Sequence, residues 1–260
     1  MGMFDGRVAI ITGGSSGIGL ATAKRLCRDG ARVVIAARGE ARGQEAERAL
    51  RAEGGEAWYV PCDVSRGEDV RRLVDTAVER YGRLDLAVNN AALADVPLAL
   101  TCDVSEEDFD RTLAVDLKGV WLCLKYQIPA MLRAGKGAIV NVSSVNGMMP
   151  TPYGSAYTTA KHGLHGLSRT AALEYAAQGI RVNVVCPGAH RTPMLEGIFE
   201  KMSPGNPAAA EAAYNARIPA HRVGDPAELA EAICWLLSDA ASYVTGSIMA
   251  VDGGMSAGAI

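Results

Sequence analysis

Short apolar runs alternate along this chain with longer amphipathic stretches, and small turn residues mark nearly every change. Arg7–Thr12 (RVAIIT) reads as a buried strand, followed by a Gly/Ser turn over Gly13–Gly19. Apolar residues at Ile18, Ala21, Leu26 and Cys27 then fall at helical spacing up to Arg28. Gly30 is placed to end that helix. Ala31–Ala37 carries Val33, Val34 and Ile35 in a row, and a strand apolar on both faces suits a parallel sheet covered on each side. The same rhythm predicts helices over Ala41–Glu53 and Glu68–Tyr81, strands over Ala57–Pro61 and Leu84–Val88, and one long helical stretch from Glu106 to Leu132. It continues as strand Ala138–Val142, helix Ser155–Gln178, strand Arg181–Val185, helix Pro226–Leu237 and strand Ser247–Val251. The expected fold is α/β: a single domain over 1–260, a doubly wound parallel sheet of Rossmann type with about seven strands and helices on both faces.

Thr192–Arg222 breaks the alternation. A connection of about thirty residues is long for this architecture, and Met194, Leu195, Ile198, Phe199 and Met202 give it an apolar side. It reads as one or two small helices forming a movable cover over a substrate, or as an ordered peripheral excursion.

Composition narrows the classes. Of 260 residues 49% are hydrophobic and 21% charged, enough apolar side chain for a core and too much for global disorder. Twenty-six basic and 29 acidic residues leave a formal charge of -3 with no charge block, which argues against a nucleic-acid or anionic-membrane partner. The six cysteines are scattered without a CxxC pair, as in a protein with reduced thiols, and a cytoplasmic location is expected. No signal peptide and no apolar run long enough for a membrane span is read. Of four histidines, His162 and His165 share a helical segment and are expected as ordinary helix-surface or interface residues; no metal site is predicted.

Candidate chemistry sits at strand ends. Gly13, Gly17 and Gly19 bracket the end of the first strand and the start of the first helix, where a tight turn, close approach of backbone to a pyrophosphate and helix–sheet packing each need a residue without Cβ. The helix N-terminus offers free N–H groups to an anion, and no lysine follows the loop as a triphosphate site would require. At the end of the second strand stand Ala37 and Arg38, with no acid to hold ribose hydroxyls before Glu40. A guanidinium there suits a 2′-phosphate, which favours NADP(H) over NAD(H); the alternative is a surface arginine or one stacked on adenine. Ser16 could add a hydroxyl to the phosphate. Tyr157 and Lys161 lie one helical turn apart, and an ammonium beside a phenol favours the phenolate. Ser144, at the end of a strand, could donate a hydrogen bond to a carbonyl or alkoxide oxygen.

Together these pieces resemble the short-chain dehydrogenase/reductase family over essentially the whole chain. The motifs are TGGSSGIG at 12–19, Asp63-Val64, Asn89-Asn90-Ala91, Ser144, Tyr157-x-x-x-Lys161, Arg181-Val182-Asn183, Pro187-Gly188 with Thr192, and Val251-Asp252-Gly253-Gly254. The resemblance implies an NAD(P)-dependent oxidoreductase interconverting a secondary alcohol and a ketone by hydride transfer. It makes Tyr157 the proton donor or acceptor, Lys161 the holder of the nicotinamide ribose, and Ser144 the group that positions the carbonyl. It places Ser15, Ile18, Asp63, Val64, Asn90, Ala91, Pro187, Gly188 and Thr192 around the cofactor, and it implies a homo-oligomer, tetramer or dimer. Two positions depart from the pattern. Asp116 stands where the family has a catalytic asparagine, and Ala92 where it has glycine. Asp116 keeps an acceptor for the proton relay and loses the amide donor.

By position the substrate pocket should include Ala94, Asp95, Asn146, Met148, Pro152, Tyr153, His190, Met194 and Leu195, with His190 and Arg191 near its opening. The mixture favours a small or medium secondary alcohol, ketone or cyclic polyol. A 3-oxoacyl thioester is the second reading, and a catalytically silent, cofactor-binding regulatory protein is the reading from another class.

Overall fold

The computed structural model describes residues 2–93, 95 and 98–258. Its strands are β1 (Val8–Thr12), β2 (Arg32–Ala37), β3 (Glu56–Pro61), β4 (Leu86–Asn89), β5 (Gly137–Val142), β6 (Ile180–Pro187) and β7 (Ile248–Val251). The helices are α1 (Gly17–Arg28), α2 (Glu40–Ala52), α3 (Gly67–Tyr81), α4 (Glu106–Leu113), α5 (Gly119–Ala134), α6 (Ser155–Tyr175), α7 (Pro193–Met202), α8 (Pro207–Asn215) and α9 (Pro226–Leu237). The strands form one sheet in the order β3-β2-β1-β4-β5-β6-β7, every neighbouring pair parallel.

Alternation along β1 explains why both faces need cover. Val8 and Ile10 point into a core shared with α3 and α5, while Ala9 and Ile11 point into one shared with α1, α2 and α9. Both rows are fully buried, and truncating a residue such as Ile10 to alanine should cost about 2–5 kcal/mol. Strand order reverses between β1 and β4, which opens a crevice beyond their carboxyl ends. Register pairs Thr12 with Asn89, so the glycine loop and Asn90 leave the sheet side by side.

The long helix expected over Glu106–Leu132 is in fact two helices joined by a π-helical turn, Ala114–Lys118. The extra residue in that turn carries Asp116 inward to zero exposure. The stretch after β6 folds as α7 and α8, which agrees with the expectation of small helices. Thr192 caps α7 by accepting the Leu195 N–H, and Asn206 caps α8 by accepting the Ala209 N–H. Leu195, Phe199, Ala210 and Val223 give this segment its own small core. Among the described residues no helix is long and apolar enough to cross a membrane.

Candidate active site

Where β1 and β4 part, a cleft of about 470 Å³ opens. Gly13, Ser15, Ser16, Gly17 and Ile18 form its floor, Arg38 lies at the end of β2, and Asp63 and Val64 follow β3. Asn90 and Ala91 follow β4, and Thr192 and Met194 come from the start of the α7–α8 segment. The glycines are required by contact. A Cβ on Gly13 would stand 2.7 Å from the Asn90 amide nitrogen, and one on Gly19 would stand 2.3 Å from the Gly13 carbonyl oxygen. Asn90 spends its side-chain amide on the carbonyls of Thr12 (3.1 Å) and Gly13 (3.2 Å). The Thr12 hydroxyl in turn accepts the N–H groups of Asn90 and Ala91, both at 3.1 Å. These bonds lock the two strand ends together beneath the loop.

Helix α1 begins without a cap. Ser16 makes no side-chain bond to the first turn, and no acidic residue lies there. Its free N–H groups and positive dipole end therefore face the cleft without compensation, a setting that fits a pyrophosphate. Arg38 lines the far end together with Arg42, whose Nε lies 3.7 Å from where a Cβ on Gly39 would stand. Arg42 was not anticipated. Its place in the first turn of α2, four residues after Arg38, was the available signal. Ile198 and Lys201 of α7 also line the cleft without having been anticipated.

The second part of the site is built by β5, α6 and the π-helical turn. Tyr157 and Lys161 share one face of α6, with Nζ 5.3 Å from the centre of the phenol ring. Lys161 is buried. It donates to the Val142 carbonyl at 3.3 Å and lies 3.2 Å from Asp116 Oδ1. Asp116 Oδ2 accepts the Leu93 N–H at 3.1 Å, whereas Oδ1 faces the ammonium and accepts no other hydrogen bond among the described residues. The Ser144 hydroxyl accepts the Asn146 N–H at 3.1 Å.

Charges here compete. Burial pushes the Tyr157 phenol up, Lys161 pulls it down, Asp116 pushes it up again and the Ser144 hydroxyl pulls it down, with a net upward direction. Burial works against the Lys161 ammonium, yet Tyr157 and Asp116 outweigh it and hold the group above its ordinary range.

Some expected pocket residues take other places. His190 is buried away from any opening, with Nδ1 3.2 Å from the Gly188 carbonyl and its backbone bridged to Gly224. Leu195 is likewise turned into the small core of the α7–α8 segment. Asp95 is exposed and pairs with Lys201 at 2.5 Å. Asn146 Oδ1 accepts the Thr151 hydroxyl at 3.0 Å, while Met148, Pro152 and Tyr153 stand exposed above the Ser144 turn, Tyr153 at a φ of 67°. Ala94 lies outside the described residues. Pro187 and Gly188 end β6, where the Gly188 N–H donates to the Val251 carbonyl at 3.0 Å. His165, expected at a helix surface or interface, is buried against Ser143 and Cys186.

Residues 13–256 match the family model described as enoyl-(acyl carrier protein) reductase. The chain is 44% identical over 258 residues to a 2,5-dichloro-2,5-cyclohexadiene-1,4-diol dehydrogenase of Sphingobium indicum, covering 99% of this chain and 100% of that protein. The chain belongs to the short-chain dehydrogenase/reductase family. A cyclohexanol dehydrogenase of an Acinetobacter species is 40% identical over 250 residues, covering 96% of this chain and 95% of that one. A crystal structure of a variant actinorhodin polyketide ketoreductase with NADPH superposes with a TM-score of 0.92 at 35% identity, covering 96% of this chain and 97% of that one. The seven-stranded parallel sheet is thus the family's fold, and the chain is an NAD(P)-dependent oxidoreductase that interconverts a secondary alcohol and a ketone.

Proposed function

We propose that the chain acts on an uncharged, ring-bound secondary alcohol or the matching ketone, with NADP(H) as the preferred cofactor. The observation that carries the reading is the buried Lys161 held between Tyr157 and Asp116. Arg38 and Arg42 at the far end of the cleft support the preference for a 2′-phosphate. The ring follows from two relatives whose names place the hydroxyl on a six-membered carbocycle. Lack of charge is supported by the pairing of three cations around the α7–α8 segment: Lys201 with Asp95, Arg191 with Glu211 and Arg222 with Glu228. Those pairs offer little to the phosphates of a carrier-bound 3-oxoacyl thioester, the second reading.

The bound nicotinamide supplies or accepts the hydride. In the ketone direction Tyr157 gives its phenolic proton to the carbonyl oxygen, and in the alcohol direction the phenolate takes it back. Ser144 donates a hydrogen bond to the same oxygen, fixing it near the phenol. Lys161 would hold the ribose hydroxyls and stabilises the phenolate, while Asp116 anchors Lys161 through Oδ1, an oxygen with a further lone pair that could accept a proton-relaying water.

A panel of cyclic and open-chain alcohols and ketones, run with both cofactors in both directions, tests the reading. Higher kcat/KM for cyclohexanol-type substrates with NADP(H) is expected. A preference for NAD(H), or for a 3-oxoacyl thioester, overturns the corresponding part. Cofactor binding without turnover on any compound would favour the regulatory reading.

A further inference from the structure

Behind Ser144 lies a polar cluster that the chemistry above does not use. His165 stands one helical turn beyond Lys161 on α6 and is almost fully buried. Its Nε2 lies 2.9 Å from the Ser143 hydroxyl and 3.4 Å from the Cys186 sulfur of β6. The Ser143 hydroxyl also lies 3.3 Å from the Lys161 carbonyl, to which it donates, and the Ser143 N–H donates to the Val185 carbonyl at 2.8 Å. Gly147 closes the turn over the cluster: a Cβ there would stand 2.6 Å from the Ser143 hydroxyl and 2.7 Å from His165 Nε2. One imidazole therefore touches the end of β5, the end of β6 and the turn that follows Ser144.

We propose that His165 is a positioning residue: its neutral imidazole ties the Ser143–Ser144 strand end to the α6 turn carrying Lys161, fixing the distance between the carbonyl-holding serine and the ammonium. This rests on the reading of Ser144, Tyr157 and Lys161 given above. Proton counting specifies the tie. Ser143 has one proton, and if it goes to the Lys161 carbonyl then the imidazole Nε2–H donates to the Ser143 oxygen. Lys161 adds a parallel tie of its own, from Nζ to the Val142 carbonyl. Two bonds from successive turns of α6 thus clamp successive residues of one strand end.

The surroundings hold the ring neutral. Burial, followed by His162, Arg169 and Lys161 on its own helix, lowers His165 to about 4. From β6 the ring faces Cys186, whose thiol burial pushes up to about 11, so no thiolate is there to stabilise an imidazolium. Asp116, from the π-helical turn, is engaged with Lys161, and Asp252, beyond β7, acts on Cys186. The turn over the cluster, Val145–Gly147, contributes no titratable group. In acid the imidazolium would keep its Nε2–H on Ser143 but become a second buried cation one turn from Lys161, and the cost of burying it and its repulsion by the ammonium should push the strand end and the helix turn apart.

The test compares wild type, His165→Leu and His165→Gln in reduction of the ketone best turned over by the wild type, with NADPH, a direction in which Tyr157 starts protonated and adds no acid limb. His165→Leu should lower kcat by about tenfold or more while the NADPH Kd stays within about twofold. His165→Gln keeps a neutral donor for Ser143, so it should restore most of kcat and retain activity at about pH 4 and below, where the wild type falls reversibly. Wild-type kcat in the leucine variant, or an unchanged acid limb in the glutamine variant, overturns the proposal. If the leucine variant does not fold, the acid limb of the glutamine variant decides. Amide exchange at Ser143 and Ser144, read without substrate, should quicken in a folded leucine variant. Unchanged exchange there would refute the tie, whatever Tyr157→Phe shows about the chemistry.

Discussion

Helices α1 and α9 lie against each other on one face of the sheet, joined by Arg25 and Glu231 at 2.6 Å, yet they begin in opposite ways. Helix α9 has every device for its first turn: Asp225 accepts the Ala227 N–H, Glu228 reaches back to the Asp225 N–H, and Arg222 pairs with Glu228. Helix α1 has none of them. Two buried acids repeat the contrast. Asp85, at the amino end of β4, takes the Val8 N–H at 2.9 Å and a two-pronged bond from Arg83. Asp116, at the opposite end of the sheet, has one oxygen that among the described residues meets only the Lys161 ammonium. The frame is satisfied from within, and the carboxyl end of the sheet is left open. Polar groups left open against the general rule mark where a ligand belongs.

The sharpest way to break this contrast is Tyr157→Phe. It deletes the group proposed to carry the proton on the open side and nothing from the frame, so kcat should fall by about 10²–10⁴ with the thermal midpoint and NADPH Kd nearly unchanged. Near wild-type turnover would mean that the open end is not where the chemistry occurs.

Asp116 comes next. Asp116→Leu leaves the buried Lys161 without its counter-charge, which should cost about 3–5 kcal/mol of stability and lower kcat at least about tenfold. Asp116→Asn keeps an acceptor for the Leu93 N–H and should remain active. It also removes one of the influences pushing Tyr157 up. Alcohol oxidation needs the phenolate, so its rate rises with pH through the Tyr157 titration, and that limb should move to lower pH in the asparagine variant. Asp85→Asn should destabilise the fold and move no limb of the pH profile. A profile unchanged in Asp116→Asn would place Asp116 with Asp85 in the frame.

These residues differ in how far the sequence revealed them. The strands were readable to within about two residues because unbroken apolar runs in β1 and β2 fit only a sheet buried on both faces. The glycine loop was readable because the positions Gly13 and Gly19 tolerate no Cβ. The π-helical turn was not. Ala114–Lys118 contains no glycine or proline and suits an ordinary helix, so its extra residue is set by tertiary contacts around Asp116. His165 was misjudged as a surface or interface residue, although its spacing from Lys161 puts both on the inward face of α6. His190 and Leu195 follow a strand end but turn into the cover's base, which linear position does not encode.

Arg38 sharpens the comparison at the cofactor's far end. Arg38→Ala should raise KM for NADPH about 10- to 150-fold, as expected for a lost charged contact of about 1.5–3 kcal/mol, and change KM for NADH much less. Arg42→Ala should act in the same direction with a smaller effect, because it lies behind Gly39. Equal changes for both cofactors would remove Arg38 from recognition of the 2′-phosphate.

The smallest expected effect tests the two helix starts directly. Asp225→Ala removes the cap of α9 and should cost about 1 kcal/mol, a fall of about 2–4 °C in Tm, with cofactor affinity unchanged. Ser16→Ala occupies the matching position in α1, where the side chain caps nothing, so Tm of the free protein should stay within experimental scatter. Its consequence should appear only with the cofactor present. Loss of a hydroxyl beside the pyrophosphate should raise the Kd for NADPH and NADH by similar factors, about two- to tenfold, because both carry that group. Thermal shifts measured with and without NADPH separate the cases. The Asp225 variant should lose the same increment in both conditions, and the Ser16 variant only with cofactor. A drop in the free protein from Ser16→Ala would mean that α1 is capped after all, and that its open N-terminus is not reserved for an anion.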